Sequence, residues 1–174
     1  MSTTDPNDLP LGGDGAAHLR TASDHWQSGR FDMAISGLTD IHGDSLTAAC
    51  VSFTVAIANL KLGRHADAFA MLREAAEALV QLDREPASLV SLRIDDPDYQ
   101  LARGYTLREM GRLEDAHAAL QAALRSRPND PHAIFHLGLL FVEAGDQAAA
   151  REQYVALARL DEGFARELYD RIHF

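Results

Sequence analysis

Two histidines, His132 and His136, lie four positions apart, which is a spacing suited to metal binding. On a helix this spacing puts both rings on one face, where two imidazoles can share a Zn²⁺ ion. No third ligand or acidic residue stands at a supporting distance, so we expect no metal and no cofactor, and we interpret the rings as partial lining of a surface. Cys50 has no neighbouring base or cation in the sequence that would activate its thiol. With no phosphate-binding glycine loop and no nucleophile elbow either, the sequence predicts a protein that is not an enzyme.

Composition narrows the classes of partner. The 174 residues carry a formal net charge of −10, which disfavours nucleic acid and anionic membrane surfaces as ligands. A single cysteine fits a reducing compartment. The N-terminal stretch "MSTTDPNDLPLGGDG" lacks the basic and apolar regions of a signal peptide, and the longest uncharged run, from Leu46 to Leu60, is too short to span a bilayer. We therefore expect an acidic, cytoplasmic protein.

One pattern recurs along the chain, a glycine followed five positions later by an alanine. The first two glycines and the last two are separated by the same interval, roughly 34 residues, whereas the middle interval is longer because of an insertion at 83–96. Four units therefore begin near Gly15, Ala49, Pro97 and Pro131. The four pairs are Gly29 with Ala34, Gly63 with Ala68, Gly111 with Ala116, and Gly145 with Ala150.

Each recurring position has a physical reason in a pair of helices. The glycine ends the first helix, where a left-handed residue is needed, and the alanine lies where the two helices of the unit cross. Asp96-Pro97 and Asp130-Pro131 supply an N-cap and a first-turn proline. Small residues within the first helices are expected to pack against the preceding pair: Ala22, Ala56, Gly104 and Gly138. Two antiparallel helices in each period predict a helix-hairpin solenoid.

These residues resemble the tetratricopeptide repeat family. The resemblance covers about residues 15–161 and is clearest in the fourth unit, with Leu137, Gly138, Phe141, Gly145, Ala150 and Tyr154. It implies an all-α fold in which four helix hairpins form a right-handed superhelix, followed by a C-terminal capping helix. Phe164, Leu168 and Ile172 recur at i, i+4 and i+8, which predicts that this last helix is amphipathic.

In this family the first helices line a concave groove that receives a peptide segment. The corresponding stripes in this sequence are largely apolar, and so is the opposite side of the same helices. A helix that is apolar on both faces is normally buried on both, by its own chain or by a partner. We therefore predict a partner protein or peptide with apolar anchors, and the acidic chain favours one with a basic flank. The predicted groove residues are Leu19, Trp26, Phe53, Ile57, Leu60, Leu101, Tyr105, Phe135, Leu139 and Val142.

Three more specific functions stay open or are disfavoured. Family members that hold acidic chaperone tails use a clamp of lysines, arginines and asparagines, whereas the corresponding positions here are Leu19, Ser23, Thr54, Asp98 and Ala102. That function is therefore disfavoured. An apolar groove on a small acidic protein also resembles the chaperones of type III secretion translocator subunits. A third interpretation is a self-associating scaffold, in which the groove is an oligomer interface.

The predicted domain organisation places a flexible tail at residues 1–14, units at 15–48, 49–82, 97–130 and 131–161, and the capping helix at 162–174. The insertion between the second and third units, residues 83–96, carries Leu89, Val90, Leu92 and Ile94 between acidic ends. One interpretation is a connector that buries these residues on the flank of the solenoid. The other is a segment that enters the groove and competes with the partner.

Overall fold

The computed structural model describes residue 11 and residues 13–90, 92–93 and 95–173, and within these ranges the chain is helical with no β-strand. It divides into two compact units, Met1–Arg93 and Ile94–Phe174. The first unit contains α1 (Gly13–Gln27), α2 (Phe31–Thr39), α3 (Ser45–Lys61) and α4 (His65–Leu82). The second contains α5 (Pro97–Glu109), α6 (Leu113–Ser126), α7 (Pro131–Glu143), α8 (Gln147–Leu157) and α9 (Glu162–His173). The predicted all-α class is confirmed.

Consecutive helices pack as hairpins, α1 with α2 and α3 with α4 in the first unit, and α5 with α6 and α7 with α8 in the second. The four repeat glycines follow the first helix of each hairpin and have φ values of 71°, 72°, 75° and 76°. A side chain in this left-handed region costs about 1–2 kcal/mol, which explains the choice of glycine. The four repeat alanines are fully buried, in agreement with their predicted place at the helix crossings.

The predicted N-caps are confirmed in the second unit. The Asp96 carboxylate accepts hydrogen bonds from the backbone N–H groups of Asp98 and Tyr99, at 3.0 and 3.1 Å. Asp130 accepts from His132 and Ala133 at 3.0 and 3.2 Å. Each cap satisfies N–H groups that have no partner inside the helix, and the proline that follows loses no hydrogen bond there.

The small residues of the first helices have a different neighbour from the one expected. A Cβ atom added to Gly104 on α5 would lie 2.6 Å from Cγ of Leu120, on α6 of the same hairpin. One added to Gly138 on α7 would lie 2.4 Å from Cδ2 of Leu168 on α9. The prediction that these glycines pack against the preceding pair is therefore wrong, because each faces a buried leucine of its own hairpin or of the helix that follows.

α9 caps the second unit as the fold prediction requires. It packs against α7 and α8, and it buries Ala165, Leu168 and Ile172 while Arg166 and Asp170 stay exposed. Asp161 immediately precedes the helix, and its carboxylate accepts a hydrogen bond from the backbone N–H of Phe164 at 2.9 Å. The amphipathic spacing read from the sequence corresponds to one buried stripe on this helix.

Two helix boundaries differ from the unit boundaries expected from the repeat. α3 begins at Ser45, ahead of Ala49, because the Asp44 carboxylate accepts hydrogen bonds from N–H and Oγ1 of Thr47, each at 2.8 Å. Gly13 and Asp14 of the predicted tail lie in α1, and residues 1–10 and 12 lie outside the described residues. No described helix is long and apolar enough to cross a membrane.

Candidate functional site

The predicted groove residues all lie on the first helix of a hairpin. Leu19 and Trp26 are on α1, and three more are on α3. Leu101 and Tyr105 are on α5, and the last three are on α7. The structure buries seven of the ten and leaves Leu19, Leu139 and Val142 half-buried. The seven are Trp26, Phe53, Ile57, Leu60, Leu101, Tyr105 and Phe135.

In the first unit α3 is enclosed on all sides over residues 53–60. Part of this cover comes from the insertion, since the backbone N–H of Leu89 donates a hydrogen bond to Oγ1 of Thr54 at 2.8 Å. The Thr54 hydroxyl in turn donates to the carbonyl oxygen of Cys50 at 2.7 Å. Both Leu89 and Val90 are buried, with 4% and 3% of their surface exposed. The insertion is thus a packed part of the first unit.

In the second unit α5 and α7 lie side by side, and aromatic rings connect them to each other and to α9. The Tyr105 ring meets the His136 ring edge-on, with centroids 4.9 Å apart. Phe135 stacks on Phe164 of α9 at 4.8 Å, and His132 meets Phe164 edge-on at 4.9 Å. We call the surface formed by Leu101, Tyr105, Phe135, Leu139 and Val142 the α5–α7 face.

Charged groups border this face at both ends. Arg108 on α5 forms ion pairs with Glu109 at 2.5 Å and with Glu143 at the end of α7, and its guanidinium lies 5.6 Å from the centre of the Tyr105 ring. At the other end the Arg127 side chain forms an ion pair with Asp98. The Arg108 side chain is only 9% exposed, whereas that of Glu143 is 42% exposed, so this pair lies at the rim of the face.

Two titratable groups on the first helices have shifted pKa values. Burial lowers the pKa of His136 well below its ordinary 6.5, and the nearby positive charges of Arg108 and His132 lower it further. Burial raises the pKa of the Cys50 thiol to about 11, with a smaller contribution from the Asp44 carboxylate. At neutral pH the imidazole is therefore uncharged and the thiol protonated, which suits packing rather than acid–base or nucleophilic chemistry.

The His132–His136 pair has a structural role in aromatic packing, as the contacts with Phe164 and Tyr105 show. Among the described residues no group of three or more His, Cys, Asp or Glu side chains could hold a metal ion. The arrangement as a whole offers apolar and aromatic surface bordered by ion pairs, which is suited to recognition of another chain.

Three participants in these surfaces were missed from the sequence alone. Phe164 was assigned to the core stripe of α9, but its ring stacks on Phe135. Thr54 was considered only as a clamp position, and its bond to Leu89 joins residues 35 apart in sequence. The Arg108–Glu143 pair also joins residues 35 apart. Only the Arg108–Glu143 pair had a signal in the sequence, since residues one period apart occupy equivalent positions on neighbouring first helices.

Comparison with known proteins supports the repeat prediction. A family model of the tetratricopeptide repeat matches residues 101–163, which lie within the second unit. No curated protein matches the sequence.

Several solved structures of MamA are similar in arrangement. A MamA RS-1 ArsTM double mutant has 15% identity over 92% of this chain and 93% of its own, with a TM-score of 0.45. MamA MSR-1 has 16% identity over 85% and 97%, with a TM-score of 0.40. MamA from Desulfovibrio magneticus RS-1, from residue 41 to its end, has 16% identity over 87% and 97%, with a TM-score of 0.38. Similarity at this level says nothing about the function of this chain.

The family match and the hairpin geometry agree on the same residues. The left-handed turns at Gly111 and Gly145, the buried Ala116 and Ala150, and the caps at Asp130 and Asp146 all lie inside the matched segment. Such repeats are protein-interaction modules. Residues 101–163 of the chain belong to the tetratricopeptide-repeat family.

Proposed function

We propose that the chain is a non-catalytic adaptor or chaperone-like module that binds an apolar segment of a partner protein on the α5–α7 face. The observation that carries this proposal is the position of Leu139 and Val142. They are half-buried aliphatic side chains on a helix whose other apolar residues are mostly buried, so they leave apolar surface accessible beside a charged border. An apolar centre with a polar rim is the usual anatomy of a protein interface.

The chemistry of the partner follows from this surface. Aliphatic or aromatic anchors would pack against Leu139 and Val142, which lie on the same helix as the buried Phe135. The net charge of −10 attracts a partner segment with basic flanking residues and speeds its approach. Nucleic acid and anionic membrane do not fit this charge.

The test compares capture of partners by three forms of the full chain. The Leu139→Glu/Val142→Glu variant places two charges on the proposed contact, whereas Val155→Glu changes a side chain on α8 that is already 52% exposed. We expect wild type and Val155→Glu to capture the same protein from a lysate of the source cells. Titration with that purified protein should then show the double variant to bind at least about 30-fold more weakly, the scale of a lost interface hot spot. Equal affinity for all three forms contradicts the proposal.

Self-association is the second candidate, and one feature favours it. Val155, Leu160 and Tyr169 are large apolar residues near the C-terminus that are 52%, 43% and 46% exposed, and the Tyr154 and Tyr169 rings lie 5.6 Å apart. If these residues form an oligomer interface, the wild type has a dimeric mass by light scattering that falls on dilution. Val155→Glu then gives a monomer, and Leu139→Glu/Val142→Glu does not change the mass.

A further inference from the structure

The described part of the insertion makes a contact of the kind that a bound peptide makes. Its backbone leaves α4 through Asp83, which has φ 51° and ψ 49°, a left-handed conformation that aspartate tolerates better than most residues. The backbone N–H of Arg84 bonds to the carbonyl oxygen of Leu79 at 3.0 Å, which closes the helix end. After this turn residues 84–88 have no regular secondary structure.

The contact itself combines a backbone hydrogen bond with two aliphatic side chains. The Leu89 N–H bonds to the hydroxyl of Thr54, which has no surface exposed. Ser88 holds the local conformation, because its hydroxyl donates to the carbonyl oxygen of Val90 at 3.0 Å and accepts from the Val90 N–H at 3.3 Å. Leu89 and Val90 are both almost fully buried. Nothing in this contact requires the segment to be covalently attached to α4.

Thr54 lies beside the stripe of α3 that the sequence predicts as groove, which includes Phe53 and Ile57. Cys50, Phe53 and Ile57 surround it at positions −4, −1 and +3, so all four are on adjoining parts of one helix face. The exposed fractions of these three neighbours are 1%, 0% and 0%. A first-helix face that the repeat pattern leaves for a ligand is thus already covered, and the insertion supplies a hydrogen bond to it through the Leu89 N–H.

We propose that the Thr54 site on α3 binds an extended chain with two consecutive aliphatic residues, and that Ser88–Val90 of the insertion is its internal ligand. An external segment of the same chemistry binds by donating a backbone N–H to Thr54 Oγ1 and replacing Leu89 and Val90. The internal segment is held at a high effective concentration, so it lowers the apparent affinity of this site for every external segment. A partner binds only if its own affinity is high enough to displace the internal segment. This inference rests on the proposed function only for its class, a module that binds another chain.

The test uses a labelled synthetic peptide of residues 84–93, REPASLVSLR, added to the full chain. In the Leu89→Ser/Val90→Ser variant the internal ligand is weakened, and we expect the peptide to bind at least about tenfold more tightly than to wild type by fluorescence anisotropy. Adding Thr54→Val to this variant removes the acceptor of the backbone hydrogen bond and should weaken the peptide about three- to tenfold. A peptide with serine in place of both aliphatic residues is the control and should not bind.

The outcomes separate this site from the α5–α7 face and from a plain structural connector. If the variant keeps its helical circular dichroism and binds no more peptide than wild type, the insertion is only a connector and the proposal is overturned. If the double substitution unfolds the chain, the Leu89→Ala variant is measured instead. A peptide affinity of this variant no higher than that of wild type also overturns the proposal. Leu139→Glu/Val142→Glu should leave peptide uptake unchanged, so failure of the α5–α7 proposal and failure of this one give different results.

Discussion

Gly104→Ala tests the closest contact between two helices of one hairpin. The added methyl group would lie 2.6 Å from Cγ and 2.9 Å from Cδ2 of Leu120, and 3.1 Å from the backbone nitrogen of the same residue. Leu120 is fully buried, and its Cγ is a branch point near the main chain rather than the free end of a flexible side chain. The methyl group therefore has room only if α5 and α6 move apart.

Two opposing effects determine the size of the change. In an exposed helix interior, alanine is about 1 kcal/mol better than glycine. Overpacking a dense core costs about 1–3 kcal/mol, and the short approach to both side chain and backbone favours the upper part of that range. The variant should therefore lose about 1–2 kcal/mol of unfolding free energy, which lowers the melting temperature by about 2–8 °C in a chain of this length.

Urea denaturation and thermal melts followed by circular dichroism measure this change. Gly13→Ala is the control, because a Cβ atom at Gly13 has no neighbour within 4 Å, and it should change stability by less than about 0.5 kcal/mol. In a double-mutant cycle Leu120→Ala should relieve the clash, so that Gly104→Ala costs at least about 1 kcal/mol less in its presence. A Gly104→Ala variant more stable than wild type would refute the close approach of α5 and α6.

Three further predictions concern the titratable groups and a cap. Because the pKa of His136 is lowered in the folded state, the unfolded chain takes up the proton first as the pH falls. The free energy of unfolding should therefore decrease below about pH 6.5, by up to about 1.4 kcal/mol per pH unit. The His136→Gln variant should show a shallower decrease between about pH 7.5 and 5 in denaturant titrations. The Cys50 thiol, with a pKa of about 11, should react with a disulfide reagent at pH 8 only at the rate of unfolding, and rapid reaction of the native chain would contradict its burial. Asp130→Ala removes the cap of α7 and should cost about 1 kcal/mol in denaturant titrations, whereas Asp130→Asn should cost clearly less.

The repeat architecture was predictable because it depends on local backbone requirements. A left-handed residue at the helix end requires glycine at Gly63 and Gly111, and a close helix crossing requires alanine at Ala68 and Ala116. These constraints act within one hairpin, so they appear in the sequence at fixed spacing. The direction in which Gly104 packs was not predictable, since spacing places a residue on a helix face without identifying the helix that covers it.

The candidate surfaces were predictable only as helix stripes. The spacing of Phe135, Leu139 and Val142 places them on one side of α7, and the structure agrees. It did not indicate that Phe164 of α9 would bury Phe135 while Leu139 and Val142 kept part of their surface accessible. Whether these residues bind a partner stays a prediction. A charge placed at Phe135 would test the core, since the ring is 6% exposed and stacked on Phe164.

The sequence by itself determined the helix hairpins, their caps and turns, and the amphipathic character of α9, because each depends on residues a few positions apart. It also determined the period, because the same local requirements recur in each hairpin at a fixed spacing. Only the tertiary structure decided which apolar stripes stay accessible. The bond between Leu89 and Thr54, the Arg108–Glu143 pair and the Phe135–Phe164 stack all join residues that are distant in sequence. Such contacts depend on how neighbouring elements pack. The type of a residue does not identify its partner, because several other residues of the chain could make the same contact.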